Sequence, residues 1–300
     1  MNVVYIDTGY DLSSAEKTKV ATVILAHGAG QTHKDMLPLA ENLAQEGFRV
    51  VVPNFPGMGL TQSSDHLDNK MYGHTVEENM DFLGNFIHFL GIGKVDLIIG
   101  HSAACYALAS LVTFLQHVDG YVYVCPGTGP EPPQGVQPYW FFKTIVWMWE
   151  HPLLWPIVAA AIKLLAIPLS KGAIPNEVRS ATIALQSLIG ARLYLTPKLA
   201  VMLKELNIPL LYCFTTGDPL ISEQQYKDYA ELNGISSFDV YDKELKLIEE
   251  GKRDFSDRFC LGLKFDLATH HPMKKLGCRE ILVKHIKEIF HYNQKKFKNT

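Results

Sequence analysis

The sequence predicts an α/β fold: a mostly parallel central sheet with helices on both faces and a helical insertion. Three observations lead there. Short continuous apolar runs, each ending near glycine or proline, alternate with helical stretches up to Cys125 and again from Pro209. Such runs suit parallel strands buried on both faces. Between them, residues 130–208 hold no run of that kind and read as helices punctuated by prolines. The 300 residues, 47% of them hydrophobic, suffice for one large domain with a substantial insertion. The expected division is a core of 1–129 and 209–300 with a cap or lid of 130–208.

Taken in order, Val3–Ile6 and Val20–Ala26 read as strands, the second running into "AHGAG". A helix follows from about Lys34 to Glu46 and stops at Gly47. "FRVVVPNFPGMG" is a buried strand leading into a Pro/Gly loop. Thr75–Leu90 is an amphipathic helix, with Thr75 and Glu78 spaced as a capping box and Gly91 at its end. Val95–Ile99 is a strand, Ala103–Gln116 a helix and Gly120–Cys125 a strand. After the insertion, "PLLYCFTTGDP" resumes the strand rhythm, followed by a helix at about Glu223–Leu232. "SSFDVYD" is a short strand, and "KELKLIEEGK" reads as a helical surface insert. "CLGLKFDLATHH" is the last strand with its loop, and helix Arg279–His291 closes the chain.

Composition narrows the function. A formal charge of −3 gives no basic footprint for nucleic acid. The five cysteines are scattered and odd in number, which fits buried reduced thiols better than a disulfide framework. No Cys/His spacing points to a metal. The N-terminal residues lack a basic segment followed by an apolar one, so the expected compartment is cytoplasmic.

The insertion carries all four tryptophans, Trp140, Trp147, Trp149 and Trp155. Residues 152–169 hold a single charge, Lys163, but Pro152, Pro156 and Pro168 interrupt them. A membrane span needs about 20 apolar residues, and it would separate the two halves of one sheet. Cap helices packed on the core are the expectation. Their tryptophans suit peripheral contact with a lipid surface, where amphipathic rings sit well.

The chemistry gathers at predicted strand ends. "GHSAA" places Ser102 in a strand-to-helix turn, where a strained backbone exposes a serine hydroxyl above the sheet. Small neighbours are needed two residues either side. Gly100 meets that need, and Ala104 adds one methyl. The Ala103 amide, at the start of the next helix, can donate to a developing oxyanion. The glycine turn after Ala26 offers a second donor, Ala29, with Gly30 as the alternative. A serine needs an oriented base. His270 and His271 both follow the last predicted strand, and their spacing to the lysines after them does not separate them. Asp218, in a glycine turn after another strand, is the acid; Glu223 and Asp266 fit that position less well. His27 and His101 flank the site as packing residues and, with Trp147 and Trp149, are the candidate substrate contacts. His33 and His74 read as surface or loop residues, and Cys105 as a core thiol.

These residues resemble the α/β-hydrolase superfamily. "LAHGAG" is similar to its oxyanion loop, "VPNFPGMGLT" to its Pro-Gly loop and "GHSAA" to its nucleophile elbow. "GDPLI" is similar to its acid-bearing turn and "HHPMKKLGCREILVKHI" to its histidine loop and terminal helix. The resemblance covers about two thirds of the chain and implies an α/β-hydrolase fold with a Ser-Asp-His triad. It favours His271 over His270, because the distance from His271 to the Ile281–Leu282 pair suits the family pattern better. Two departures stand out: Asn54 replaces the family's aspartate before the Pro-Gly loop, and Ala104 its second elbow glycine. The N-F-P-G loop and the charged insert Lys243–Arg253 look like a smaller invertebrate group of hydrolase-like proteins, which implies no substrate.

The expectation is therefore a serine hydrolase of the esterase or lipase type. It needs no cofactor and cleaves an ester, thioester or amide of a small substrate with an apolar or acyl part. An acyltransferase would use the same triad. The contrasting reading is a non-catalytic protein of this fold that binds lipid, a membrane surface or a partner through its cap. Oligomeric state is not legible.

Overall fold

A computed structural model describes residues 2–9, 21–61, 73–111, 118–127, 129–151, 153–169, 176–253, 255 and 258–298. A nine-stranded sheet runs in the order β1-β3-β2-β4-β5-β6-β9-β7-β8. The strands are β1 (Tyr5–Asp7), β2 (Thr22–Ala26), β3 (Arg49–Pro53), β4 (Leu97–His101), β5 (Tyr121–Val124), β6 (Leu210–Thr215), β7 (Phe238–Tyr241), β8 (Leu247–Glu249) and β9 (Cys260–Phe265). Only the edge strands β1 and β8 pair antiparallel; every other pairing is parallel.

The continuous apolar runs pack as their pattern implies. Every residue of β2, β4, β5 and β6 is buried. Ile24, Ile98, Tyr123 and Phe214 face one core layer, and their neighbours Val23, Leu97, Val122 and Cys213 face the other. Helices α2 (Val76–Phe89), α3 (Ala104–Leu111) and α9 (Glu223–Leu232) cover the first layer. Helices α1 (His33–Gln45) and α10 (Leu276–Lys298) cover the second. The Thr75–Glu78 capping box forms as expected, and Gly47 and Gly91 follow the ends of α1 and α2 at positive φ. Two more capping boxes, Thr32–Asp35 and Ser222–Gln225, start α1 and α9.

Between β5 and β6 the described residues form only helices and turns. These are α4 (Tyr139–Trp149), α5 (Trp155–Ala161), a π-helical turn (Ile162–Ala166) into α6 (Ile167–Leu169), α7 (Val178–Gly190) and α8 (Thr196–Glu205). Ile145, Val146, Val158, Ile162, Ala181 and Leu185 make a small core of their own. No helix among the described residues is long and apolar enough to cross a membrane. Val20, Pro152 and residues 112–116 of the helix expected after Ala103 lie outside the described residues.

One element differs in kind from the sequence reading. "KELKLIEEGK" is a hairpin arm, not a helix. Asp242 holds the turn: its carbonyl accepts from Leu245 N–H and its side chain from Lys246 N–H, with Leu245 at φ +63°. Strand β8 then pairs with β7, as Val240↔Glu249 and Tyr241↔Leu247. The charges that suggested a helix surface instead lie along an exposed sheet edge, where they discourage further strand pairing. The first strand is also displaced, to Tyr5–Asp7 from the expected Val3–Ile6.

The strand order reverses around β2, because the chain passes from β2 to β3 on one side and returns to β4 on the other. In open α/β sheets the crevice at the carboxyl ends of such strands is where ligands bind.

Candidate active site

Ser102 sits in that crevice, between β4 and α3, with φ +53°. A non-glycine residue in this region carries strain of about 1–3 kcal/mol. The strain is held by neighbours: Ser102 N–H donates to Val124 O (3.0 Å), and Gly127 N–H to Ser102 O (3.2 Å). A Cβ on Gly100 would collide with Leu108 Cδ1, so strand and helix do meet there. Ala104 tolerates its methyl because it already belongs to the core at the head of α3, at 4% exposure.

The glycine turn after β2 comes up against this turn. A Cβ on Gly28 would lie 3.0 Å from Ser102 Cβ and 2.8 Å from both His101 Nδ1 and Gln31 Oε1. Gly28 N–H donates to Gln31 Oε1 (2.7 Å). Ala29 and Gly30 line the same cavity as Ser102.

His270 and Asp218 complete a hydrogen-bonded chain. Ser102 Oγ lies 2.9 Å from His270 Nε2, and His270 Nδ1 lies 2.6 Å from Asp218 Oδ2. The serine hydroxyl donates to Nε2, so the proton of a neutral ring is on Nδ1 and points at Asp218. Asp218 Oδ1 accepts from the Leu220 and Ile221 amides (2.8 and 3.2 Å), and Oδ2 accepts a second bond from Tyr226 OH (2.6 Å). Burial alone would push this carboxyl up. The His270 contact, Tyr226 OH and the Leu220 amide outweigh burial and hold it below the usual carboxylate range.

The ring that bridges Ser102 and Asp218 is thus His270, where the expectation placed His271. His271 lines the same cavity, but its Nδ1 accepts from Gln31 Nε2 (3.1 Å). The turn Pro272–Lys274 is 3₁₀-helical, so counting back from α10 lands one residue past the bridging histidine. Thr215 Oγ1 bonds Thr269 O and anchors the residue just before His270. Burial, with His270 and Lys274 nearby, lowers the His271 pKa to about 4.

The proposed substrate contacts divide. His101 lines the cavity. His27 does not: it is fully buried, accepts from Phe55 N–H (3.1 Å) and bonds Gly28 O through Nδ1 (2.9 Å), tying the oxyanion loop to the loop after β3. Trp147 is 54% exposed and stacks near His151, and Trp149 is half-buried against Trp155. Neither lines the cavity, because α4 turns Ile145 and Val146 inward and its tryptophans elsewhere. The cavity, about 360 Å³, is instead roofed by Ala184 and Leu188 of α7 with Leu220, and the Asp35–Lys274 ion pair (2.7 Å) lies in its wall. A larger open cleft of about 930 Å³ between α8 and α9 contains none of Ser102, His270 or Asp218.

Several other residues settle into place. Asn54 is structural: its Oδ1 accepts from His33 N–H (2.6 Å) and His33 Nδ1 (2.9 Å). His74 lies in the loop before α2, as expected, and is buried there. Glu223 pairs with Lys227 and Lys264, and Asp266 accepts from Thr216, so neither spare carboxylate competes with Asp218. All five cysteines are free, and four are buried. Among the described residues, Cys125, Asp218 and His270 alone cluster closely enough to hold a metal. Burial pushes the Cys125 thiol far up, and the other two already bond each other.

Sequence reasoning missed Tyr226 and Gln31. Tyr226 lies on α9, and no local pattern marks a tyrosine that reaches back to a turn eight residues earlier. Gln31 directly follows the glycine turn, a weak signal that was available.

The model of the "Alpha/beta hydrolase family" matches residues 23–242. No curated protein matches the chain significantly. Solved structures share the fold at low identity. An esterase from Thermogutta terrifontis, with malate bound, is 16% identical with a TM-score of 0.61, covering 97% of this chain and 93% of its own. The monoacylglycerol lipase of Paleococcus ferrophilus is 16% identical with a TM-score of 0.58, covering 98% and 100%. The enol-lactonase of Burkholderia xenovorans is 11% identical with a TM-score of 0.60, covering 96% of both chains.

Proposed function

The chain belongs to the alpha/beta hydrolase family, and from that premise we propose that it is a serine hydrolase. The observation that carries the reading is the unbroken chain Asp218–His270–Ser102. His270 Nε2 takes the Ser102 proton as Oγ attacks an acyl carbon, and Asp218 stabilises the imidazolium that forms. The Ala29 and Ala103 amides hold the oxyanion, with Gly30 as the alternative to Ala29. His270 returns the proton to the leaving group. It then activates a water that hydrolyses the acyl-enzyme.

The apolar roof of Ala184, Leu188 and Leu220 supports a small ester, thioester or amide with an acyl part. The acylating half-reaction is common to an acyltransferase, so a competing alcohol or thiol acceptor tests that variant. Hydrolysis of p-nitrophenyl esters from acetate to dodecanoate tests the main reading. Wild-type protein is expected to turn over at least the short members, and Ser102→Ala none.

A second reading has its own support. Trp140, Trp147, Leu153, Trp155, Ile157 and Leu164 are all exposed on the cap, each by half or more. Exposed indoles beside aliphatic tips, with Lys143 and Lys163 between them, suit a lipid surface. Co-sedimentation with phosphatidylcholine vesicles containing anionic lipid tests it, and replacing Trp147 and Trp155 by serine is expected to abolish binding.

A further inference from the structure

We infer that Gln31 is the positioning residue that aims the oxyanion loop at Ser102; the inference rests on the hydrolase reading above. Gln31 is buried, at 8% exposure, and touches both sides of the site. Its Oε1 accepts from Gly28 N–H at 2.7 Å and lies 2.7 Å from His101 Nδ1. Its Nε2 donates to His271 Nδ1 at 3.1 Å. The Gly28 N–H fixes the orientation of the amide, because a nitrogen placed there would face another donor. His271 must then leave Nδ1 bare, as the neutral ring does.

His101 closes the circuit. Its Nε2 lies 2.8 Å from the His270 carbonyl oxygen, so both of its ring nitrogens face acceptors. Burial, with His270 and His271 nearby, holds this ring well below the usual histidine range. A neutral ring has one N–H and serves Gln31 or His270 at any moment, but not both. The Gln31 bonds to Gly28 and His271 have no such conflict. Gln31 is therefore the constant link between the loop after β2 and the loop after β9.

The consequence for chemistry is geometric. With the Gly28 amide taken by Gln31, the N–H groups left on this turn are those of Ala29 and Gly30, two residues that line the cavity. Among the described residues neither has a hydrogen-bond partner. Gly28 is packed to within a methyl of Ser102, so a small displacement of the loop changes donor distance at the oxyanion. Stabilisation there depends on donors at about 2.7–3.1 Å.

Steady-state kinetics on a p-nitrophenyl ester, with affinity for an alkyl boronic acid, separate this role from a structural one. Gln31→Met keeps the volume and removes every bond. It is expected to lower kcat about 10- to 100-fold, leave KM within about two-fold, and weaken the boronate in proportion to kcat. Gln31→Glu restores the acceptor for Gly28 and is expected to recover most of the loss. Wild-type kcat and boronate affinity in Gln31→Met overturn the inference while the hydrolase reading stands. If Gln31→Met fails to fold, Gln31→Asn decides: its shorter side chain cannot span Gly28 and His271, and wild-type kcat and boronate affinity in it overturn the inference. Wild-type protein that neither turns over nor binds boronate removes the hydrolase reading and this inference together.

Discussion

His270 Nδ1 donates to Asp218 Oδ2 at 2.6 Å, and the two side chains are only 3% and 0% exposed. A hydrogen bond so placed fixes the tautomer that leaves Nε2 bare toward Ser102. Asp218→Asn keeps the shape but presents the wrong partner for the ring. It is expected to lower kcat by about a thousand- to ten-thousand-fold, with little change in KM. Esterase kinetics check this, and a loss under ten-fold would mean that Asp218 does not orient the base.

Adjacent histidines make a sharp pair of variants. His270→Ala is expected to abolish ester turnover. His271→Ala removes the contact to Gln31 and ring packing against His101 and His270, none of it a bond to Ser102 or Asp218, and is expected to keep activity within about ten-fold. The reverse ranking would restore His271 as the base. Circular dichroism of both variants guards against a folding artefact.

The elbow bears a test in both directions. Ala104→Gly is expected to leave kcat within about two-fold and to cost stability, by about 0.5–1 kcal/mol, because glycine at a helix start loses more entropy on folding. Gly100→Ala is expected to destabilise more, by about 1–3 kcal/mol, because its Cβ meets Leu108 Cδ1 in a packed core. Urea unfolding of the two variants measures the difference. An Ala104→Gly protein that gains ten-fold in kcat would show that the methyl does hold strand and helix apart.

Acid stability should depend on a second buried network, far from the serine. Asp239 accepts from Arg253 Nη1 and Nη2, from the Gly251 amide and from His285 Nε2. Burial would raise its pKa, but these bonds win and lower it to about 2. A carboxyl depressed below its unfolded value of 3.8 stabilises the fold fully above that value. The contribution fades as pH falls through about 2 and is on the order of 2 kcal/mol. Asp239→Asn is expected to flatten the fall in melting temperature between pH 4 and 2. An unchanged slope would contradict this assignment.

Much of the sheet was legible because buried parallel strands are written as unbroken apolar runs. "TVILA", "VVVP" and "LLYCFT" could hardly be anything else between glycine and proline turns. The charged arm after β7 was not legible. Leu245 and Ile248 are three apart, as on a helix face, and it is the Asp242 turn and the pairing with β7 that make the arm a strand. At the site, Ser102, Asp218 and the glycine turn after β2 could be singled out because each follows a strand end, and the fold brings them to one cavity or one hydrogen-bonded chain. Two neighbouring histidines could be brought to one loop, and the resemblance favours His271, but it is His270 that bonds both Ser102 and Asp218, because sequence spacing does not say which ring a 3₁₀ turn aims inward. The tryptophans were misassigned for a related reason. Periodicity marks a helix as apolar on several sides, but which side meets the cavity is fixed by packing against α7.

Intact-protein mass spectrometry after treatment with a fluorophosphonate tests whether Ser102 is a nucleophile. The expected result is one phosphonyl adduct on wild-type protein, mapped to Ser102 by digestion, and none on Ser102→Ala or His270→Ala. A folded wild-type protein that stays unmodified would contradict the catalytic reading, as would an adduct that persists in Ser102→Ala.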